Sequence, residues 1–331
     1  MESNNKYIDE KYLLNQDLKY KNQNLSILKN VKSELAKNLT LELNQKNIVN
    51  AINISCELLL SGYYDFLINK LVTFYFNEIN LAQPIVINKI YDINLYYNNR
   101  YNYLHKKNSP HDIINDIQIR NFICFFVSIC CLSSHRRLPK LINLKDDDFN
   151  LKKKKNTLIS KDLNLLSKYV KVNDDKDIII PLSEIIHLLR DKSILDREHK
   201  IIYWISWLFE CEKRFHNKKI NVEYRSINGL DTKYCNDFIW IVWDMLIDNV
   251  EQDFKNLIID LYRLFKIKYT RSTKKNKSYL IITSVLLCVN PIPKIQNPIE
   301  ISDETLNRCN MESIKSNYHC YEIIAKSKFI T

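Results

Sequence analysis

The sequence predicts an all-α protein, a multi-helix array without a significant β-sheet. Gly62 and Gly229 are the only glycines in 331 residues, whereas an average usage of roughly 7% would give about twenty. Tight β-hairpins depend on glycine at positive φ, so few of them are expected. Apolar residues instead recur at helical spacing along most of the chain. Residues 177–181, DIIIP, are the one strand-like segment, and one strand cannot make a sheet.

The first half of the chain is predicted to be a short arm followed by a helical domain. Residues 1–24 are polar and predict a flexible N-terminal arm, and residues 25–137 form the first domain. Apolar spacing in this domain predicts helices over 28–39, 48–61, 66–75, 84–97 and 112–134. Gly62 suits the left-handed position after a helix, and Pro84 suits a first helical turn.

A charged linker and a second helical domain are predicted to follow. Residues 138–158 contain a proline, an acidic run and a lysine run, which is typical of a linker. The second domain, 159–290, has helical spacing over 181–190, 201–215, 236–249, 254–265 and 279–289. The prolines of NPIPKIQNP end the last helix and leave residues 291–331 as a C-terminal tail.

Motif content argues against the common enzyme classes. The sequence has no G-x-x-x-x-G-K-[ST], no G-x-G-x-x-G and no G-x-S-x-G, so phosphate loops, dinucleotide folds and serine-hydrolase folds are not expected. His135 lacks a neighbouring nucleophile and acid that would suggest a triad. Asp146, Asp147 and Asp148 are expected to be a solvated acidic run rather than a metal site. The sequence therefore predicts a non-enzyme with no cofactor and no bound metal.

Cysteine usage and hydropathy predict a reducing intracellular compartment, either cytoplasm or nucleus. The nine cysteines are scattered and include no C-x-x-C pair. The N-terminus, MESNNKYIDEKYLLNQ, lacks a signal-peptide pattern. The longest apolar run, 122–132, is too short to cross a bilayer, so no membrane association is expected.

A net charge of +11 and a pI near 9.0 suggest an acidic partner such as nucleic acid. Two basic sets are candidates for binding it: one in an exposed loop predicted between two helices, and one interleaved with aromatic residues. The first set is Lys266, Lys268, Arg271, Lys274, Lys275 and Lys277. The second is Arg100, Lys106 and Lys107, among Tyr96, Tyr97, Tyr101, Tyr103 and His105. A weaker third patch is 152–155. The alternative is that all are solvated loops in a chain whose lysine content reflects AT-rich codons.

The four tryptophans form two W-x-x-W pairs, Trp204 with Trp207 and Trp240 with Trp243. A spacing of three places each pair on neighbouring positions of a helix. One interpretation is packing between helices. The other is a partner interface, because tryptophan is a frequent anchor at protein interfaces.

Residues 40–137 resemble the C-terminal helical region of the AAA+ family that includes maintenance-of-genome-stability proteins and the Werner-helicase-interacting protein. The resemblance depends on the run FNEINLAQP, where Glu78, Leu81, Ala82 and Pro84 match the family pattern. Ile79 replaces the usual acid and Asn80 the usual glycine. Residues 133–137, SSHRR, fall where the family has a helix end with small and basic residues.

In that family this region is similar to the clamp-loader collar, an all-α module that mediates oligomerisation. The resemblance therefore implies a collar-like N-terminal half and a homo-oligomer. ATPase activity is not implied, because no Walker motif occurs in the chain. A stand-alone module of this kind, joined to W-x-x-W helices, looks like proteins of large AT-rich DNA viruses, which would place it in a host cell.

Together these observations predict a non-catalytic DNA replication or repair accessory protein. We expect an oligomeric scaffold that binds DNA or a replication or repair protein. The alternative is a structural or protein-interaction protein, viral in origin, that has no DNA role.

Overall fold

The computed structural model describes residues 24–84, 86–107, 110–151, 157–160, 163–214, 220 and 222–289. These residues contain ten α-helices and no β-strand, and one isolated bridge joins Leu25 and Val31. The predicted all-α, multi-helix class is therefore confirmed. The chain divides into two compact units between Arg137 and Leu138. The predicted arm, except Asn24, and the predicted tail lie outside the described residues.

The first unit contains five helices. They are α1 (Lys32–Asn44), α2 (Ile48–Leu60), α3 (Tyr64–Phe74), α4 (Val86–Lys106) and α5 (Ile117–Leu132). The core lies where α2 packs against α1 and α5, and α3 also packs on both α2 and α5. Gly62 ends α2 with φ 78°, the left-handed conformation that its position predicted.

Helix α4 is longer than predicted, because it continues past Tyr97 to Lys106. Tyr97 stacks on buried Tyr64 of α3, with ring centroids 3.7 Å apart, and Leu104 is also buried. The stacking of Tyr97 and the burial of Leu104 hold the tyrosine-rich part of α4 against the first unit. The polar, tyrosine-rich sequence after Tyr97 thus belongs to α4 as far as Lys106.

The chain leaves α3 through a π-helical turn, Tyr75–Ile79, and a 3-10 turn, Asn80–Ala82. Asn80 has φ 47° and ψ −126°, a conformation that glycine adopts more readily than other residues. The side chain of Glu78 forms an ion pair with Arg137 at 3.1 Å. Its carbonyl accepts a hydrogen bond from the Arg136 N–H at 2.6 Å. The two segments that carry the family resemblance are therefore in contact.

The second unit also contains five helices. They are α6 (Ile179–Arg190), α7 (Arg197–Arg214), α8 (Ile239–Asn249), α9 (Lys255–Lys266) and α10 (Ser278–Val289). Helix α7 packs against α6 and α10, and α8 packs against α6, α9 and α10. Helix α10 is buried on all sides from Leu280 to Val289, so this helix forms the centre of the unit.

Two predicted segments of the second unit differ from the structure. Residues 177–181 are not a strand, because Lys176–Ile178 form a 3-10 turn and α6 starts at Ile179. Pro181 falls in the first helical turn, where no backbone N–H donor is needed. The described part of the predicted linker packs on α7: the Ile142 N–H donates to Ser206 Oγ at 2.9 Å, and Trp207 donates to the Asp148 carbonyl at 3.1 Å. Residues 138–151 therefore belong to the second unit.

Candidate nucleic-acid interface

One face of α4 carries alternating aromatic and cationic side chains, which we call the α4 stripe: Tyr96, Arg100, Tyr103 and Lys107. Their spacing of four, three and four residues places them in one row along the helix. The Arg100 guanidinium lies 5.5 Å from the centre of the Tyr103 ring. The Lys107 ammonium lies 4.7 Å from the same ring. Tyr103 is 48% exposed, Lys107 is exposed, and 40% of the Arg100 side chain is exposed.

The stripe is held in place by the start of α5. Asp116 caps α5 by accepting hydrogen bonds from the N–H groups of Gln118 and Ile119. Its other oxygen accepts from Tyr96 Oη at 2.8 Å and from Arg100 Nε at 3.1 Å. Burial, followed by this hydrogen bond to Asp116, raises the pKa of Tyr96 to about 12. Tyr96 therefore stays neutral at physiological pH, and its hydroxyl donates a hydrogen bond to the carboxylate.

The neighbouring cations change the acidity of the Tyr103 hydroxyl, near the Lys107 end of the stripe. The hydrogen bond from Lys107 and the charge of that ammonium lower the pKa of Tyr103. Both cations lie over the Tyr103 ring, and about half of the residue stays exposed. An exposed ring bordered by cations offers a stacking surface together with groups that attract phosphate.

Other members of the predicted second basic set lie on a different side of α4. Tyr101 stacks on Tyr97 with centroids 5.9 Å apart, and His105 is 6.1 Å from Tyr101. Burial raises the pKa of Tyr97 above its usual value, with a further contribution from Asp65. Lys106 is exposed but is one residue out of register with the stripe. The structure therefore brings Arg100 and Lys107 together and separates Lys106 from them.

A cavity of about 660 Å³ opens between α4 and α5 at the inner end of the stripe. Tyr96 lines it from α4, while Phe122 and Phe125 line it from α5. Lys89 lies 5.8 Å from the Phe125 ring. Lys89 is seven residues before Tyr96, so it occupies the same row of the helix. The cavity and the stripe thus form a continuous surface.

The sequence alone did not single out the residues of this cavity. Phe122 and Phe125 fall in the most apolar run of the chain, which indicates core, and both are half-buried. The one signal in the sequence is the spacing of 89, 96, 100, 103 and 107 by threes, fours and sevens. That spacing has structural meaning only if α4 is one helix through this whole stretch.

The predicted 266–277 set forms mainly intramolecular contacts. Lys274 is 2% exposed, and its ammonium lies 2.6 Å from Glu212 and 2.9 Å from buried Asp237. It also lies 4.1 Å from the centre of the Phe238 ring. Tyr269 donates to the second Asp237 oxygen at 2.8 Å. Lys274 is therefore a buried, neutralised cation and does not serve as the surface phosphate contact that its place in a basic run suggested.

Four other cations of this set also have partners within the second unit: Lys266, Arg271, Lys275 and Lys277. Lys266 donates to the Asn228 carbonyl at 2.9 Å, and burial lowers its pKa, followed by the effect of Arg263. Arg271 donates to Asn236 Oδ1 at 2.6 Å. Lys275 pairs with Glu210.

Lys277 makes the most enclosed of these contacts. Its ammonium donates to the carbonyls of Phe265, at 3.1 Å, and Ile267, at the end of α9. Burial, followed by the charge of Lys268, lowers the pKa of Lys277 to about 8. Lys268 itself is exposed. The six cations therefore do not form one open basic surface. Residues 152–155, the third predicted patch, lie outside the described residues.

All four tryptophans are buried in the second unit, with exposures from 0 to 6%. Trp240 packs against Tyr269, with ring centroids 4.7 Å apart, and donates to the Tyr234 carbonyl at 2.7 Å. Trp243 packs against Phe265 at 5.3 Å. The rings of Trp204 and Trp207 lie 6.4 Å apart on α7. Burial of this extent favours helix packing over the expected partner interface, because an anchor must be reachable.

The described part of the chain shows neither a metal cluster nor a membrane span. Its histidines, cysteines and acidic residues form no group of three that could hold a metal ion. None of its helices combines the length and the apolar character that a membrane span needs. The seven cysteines within it are buried thiols, and Cys130 and Cys131 lie in the core of α5, as their place in the most apolar run predicted.

No protein-family model matches this chain, and no curated protein or solved structure shows significant similarity to it.

Proposed function

We propose that this protein is a non-catalytic accessory of DNA replication or repair that binds single-stranded nucleic acid through the α4 stripe. The observation that carries the proposal is the row of aromatic and cationic groups, with exposed Tyr103 between half-buried Arg100 and exposed Lys107. Bases stack on exposed aromatic rings, and cations beside them follow the phosphates. Unpaired bases are needed for stacking, which favours a single strand over a duplex.

The charge around the stripe supports binding of an anion. Asp116 offsets part of the charge of Arg100 and also caps α5. Both oxygens of its carboxylate therefore already accept hydrogen bonds from the protein. Lys106, Lys107 and Lys89 add positive charge along α4. Asp92, beside the cavity, is the opposing acid on this helix. The remaining excess is positive, as a nucleic-acid surface requires.

Oligomerisation and a collar-like first unit are the second part of the proposal. The contact between Glu78 and Arg137 joins the two segments on which the resemblance depends. Asn80 has the backbone conformation that the glycine of the family pattern would adopt without strain. These two observations support the resemblance of the first unit to the collar. They do not bear on ATPase activity, because the chain has no Walker motif.

The test is binding of the full chain to labelled single-stranded and duplex oligonucleotides across a salt series, with solution mass recorded alongside. We expect the single strand to bind more tightly and the affinity to fall as salt rises. An Arg100→Gln, Lys107→Gln double variant, which removes both cations of the stripe, should bind more weakly. Its salt slope should be smaller by about 0.7 for each phosphate that the variant no longer neutralises.

The matched control is a Lys37→Gln, Lys176→Gln double variant. Lys37 and Lys176 are exposed lysines on α1 and in the 3-10 turn before α6, and the control removes the same charge. Equal weakening by both double variants would show that only net charge matters, which would contradict the assigned surface. Absence of single-strand binding near physiological salt would instead favour the protein-interaction alternative. The buried state of Lys274 favours that alternative too, since it reduces the basic surface of the second unit.

A further inference from the structure

The cavity between α4 and α5 is lined by both aromatic rings and polar side chains. Phe122 and Phe125 are half-buried, so each keeps ring surface open to the cavity. Gln118 and Asn121 lie on the same wall, one helical turn apart, and both are exposed. Carboxamides supply hydrogen-bond donors and acceptors from one side chain. An aromatic floor with carboxamides at its edge suits a flat, polar-edged ring better than an aliphatic chain.

The charges at the rim restrict which part of a nucleic acid can enter. Asp92 lines the cavity from α4, and its carboxylate repels phosphate. The same carboxylate accepts hydrogen bonds from an exocyclic amine or a ring N–H. Lys89, three residues earlier, lies over the Phe125 ring and can meet the phosphate that follows the base. The rim thus favours a base inside and a backbone outside.

The cavity adjoins the α4 stripe. Tyr96 lines the cavity and is also the first member of the stripe. The row from Lys89 to Lys107 extends over roughly 27 Å, at about 1.5 Å per residue of helix. A strand that follows the cations of the stripe therefore passes the mouth of the cavity. The cavity, of about 660 Å³, is open to solvent rather than enclosed, so a base reaches it directly from a strand on the stripe.

We propose that the α4–α5 cavity binds one unstacked base of the single strand, between the rings of Phe122 and Phe125 and the edges of Gln118, Asn121 and Asp92. This inference rests on the proposed function, because the stripe delivers the strand. It adds a base-binding site to a surface that otherwise contacts backbone and stacks bases without selection.

The experiment compares two strands and three variants of the full chain: Phe125→Leu, its control Phe66→Leu, and the stripe variant Lys107→Gln. One strand is an ordinary labelled oligonucleotide, and the other has the same length with abasic sugars throughout. In Phe125→Leu the cavity keeps an apolar side chain but loses the ring. We expect this variant to bind the ordinary strand about 5- to 150-fold more weakly, the range for losing one stacked base. Its affinity for the abasic strand should equal that of the wild type.

Phe66→Leu is the matched control. Phe66 is also half-buried and also lies under lysines, with Lys32 4.4 Å and Lys70 5.8 Å from its ring, but it is on α3 and does not line the cavity. This variant should bind both strands as the wild type does. Equal weakening of both strands by Phe125→Leu, or no weakening of either, would overturn the base site.

The outcomes separate the two proposals. Wild-type protein that binds neither strand would overturn the proposed function and this inference with it. A different outcome would overturn the base site alone. In it, the wild type binds both strands, Lys107→Gln weakens binding of both, and Phe125→Leu changes the affinity for neither.

Discussion

The α4 stripe and the 266–277 segment are similar in sequence but differ in the partners of their cations. Both combine tyrosines with lysines and arginines over a short stretch. In the second unit, Asp237, Glu212 and Glu210 meet Lys274 and Lys275, and backbone carbonyls meet Lys266 and Lys277. In the first unit one carboxylate, Asp116, meets one cation of the stripe. The density of basic residues in the sequence therefore does not show how many of their charges the fold pairs with its own acids and carbonyls.

The largest effect should come from Lys274. Lys274→Met leaves the carboxylate of Asp237 buried beside Glu212 without its cation, and breaking a buried ion pair in this way costs about 3–5 kcal/mol. Tryptophan emission in a denaturant titration measures this loss selectively, because all four tryptophans lie in the second unit. Lys275→Met is the control, since its pair with Glu210 is half-exposed and should contribute at most about 1 kcal/mol. A Lys274→Met protein of normal stability that bound nucleic acid poorly would reverse the roles of the two regions.

The next effect is a pH dependence at Lys277. Folding lowers the pKa of this lysine from its ordinary 10.5 to about 8, so between these values the unfolded chain binds more protons than the folded one. The free energy of unfolding should therefore rise with pH from about 8 to 10.5, because the charged form disfavours the fold. Relative to Lys277→Met, the wild type should gain roughly 1–3 kcal/mol over this range, at about 1.4 kcal/mol per pKa unit.

The measurement is chemical denaturation of both proteins at pH 7, 8, 9 and 10, and the quantity is the difference between them. The difference removes the contribution of tyrosines, which titrate in the same range in both proteins. A constant difference across the series would mean that Lys277 titrates normally and that its carbonyl contacts stabilise the ammonium fully.

A smaller effect is expected at Asp116, the acid that engages the stripe. Asp116→Ala removes the cap of α5 and should destabilise the first unit by about 0.5–2 kcal/mol. Asp116→Asn keeps a capping oxygen and should cost less. It also releases Arg100 from a carboxylate, so this variant should bind a single strand more tightly. Hydrogen exchange of α5 amides measures the first effect, and an affinity titration the second. Weaker binding by Asp116→Asn would show that Asp116 positions Arg100 rather than competing for it.

The smallest effect on stability should come from the outer end of the stripe. Lys107→Gln removes an exposed cation that lies against the Tyr103 side chain, and such surface changes usually stay within about 0.5 kcal/mol. Its affinity for a single strand should nevertheless fall. Paired thermal melts and binding titrations check both statements. A large loss of stability would place Lys107 with Lys274 as a structural cation.

Local features of the sequence predicted the helices well, because periodicity, Gly62 and the helix-ending positions act over a few residues. The strand predicted around Pro181 was wrong, since a short apolar run cannot be assigned by periodicity alone. The burial of Lys274 was not predictable from its neighbours, because its partners Asp237 and Glu212 lie 37 and 62 residues away. The α4 stripe was visible as residue types, but its row became clear only once α4 was known to continue to Lys106.

The most direct test of the account is ultraviolet cross-linking of a single-stranded oligonucleotide to the full chain, followed by identification of the attached peptides. Aromatic rings in contact with bases are efficient sites of attachment. We predict attachment in the α4 and α5 peptides that contain Tyr96, Tyr103, Phe122 or Phe125, and a marked decrease of it in the Arg100→Gln, Lys107→Gln double variant. Attachment confined to residues 262–279 would contradict the account, because it would place the strand on the segment whose cations the fold has already paired.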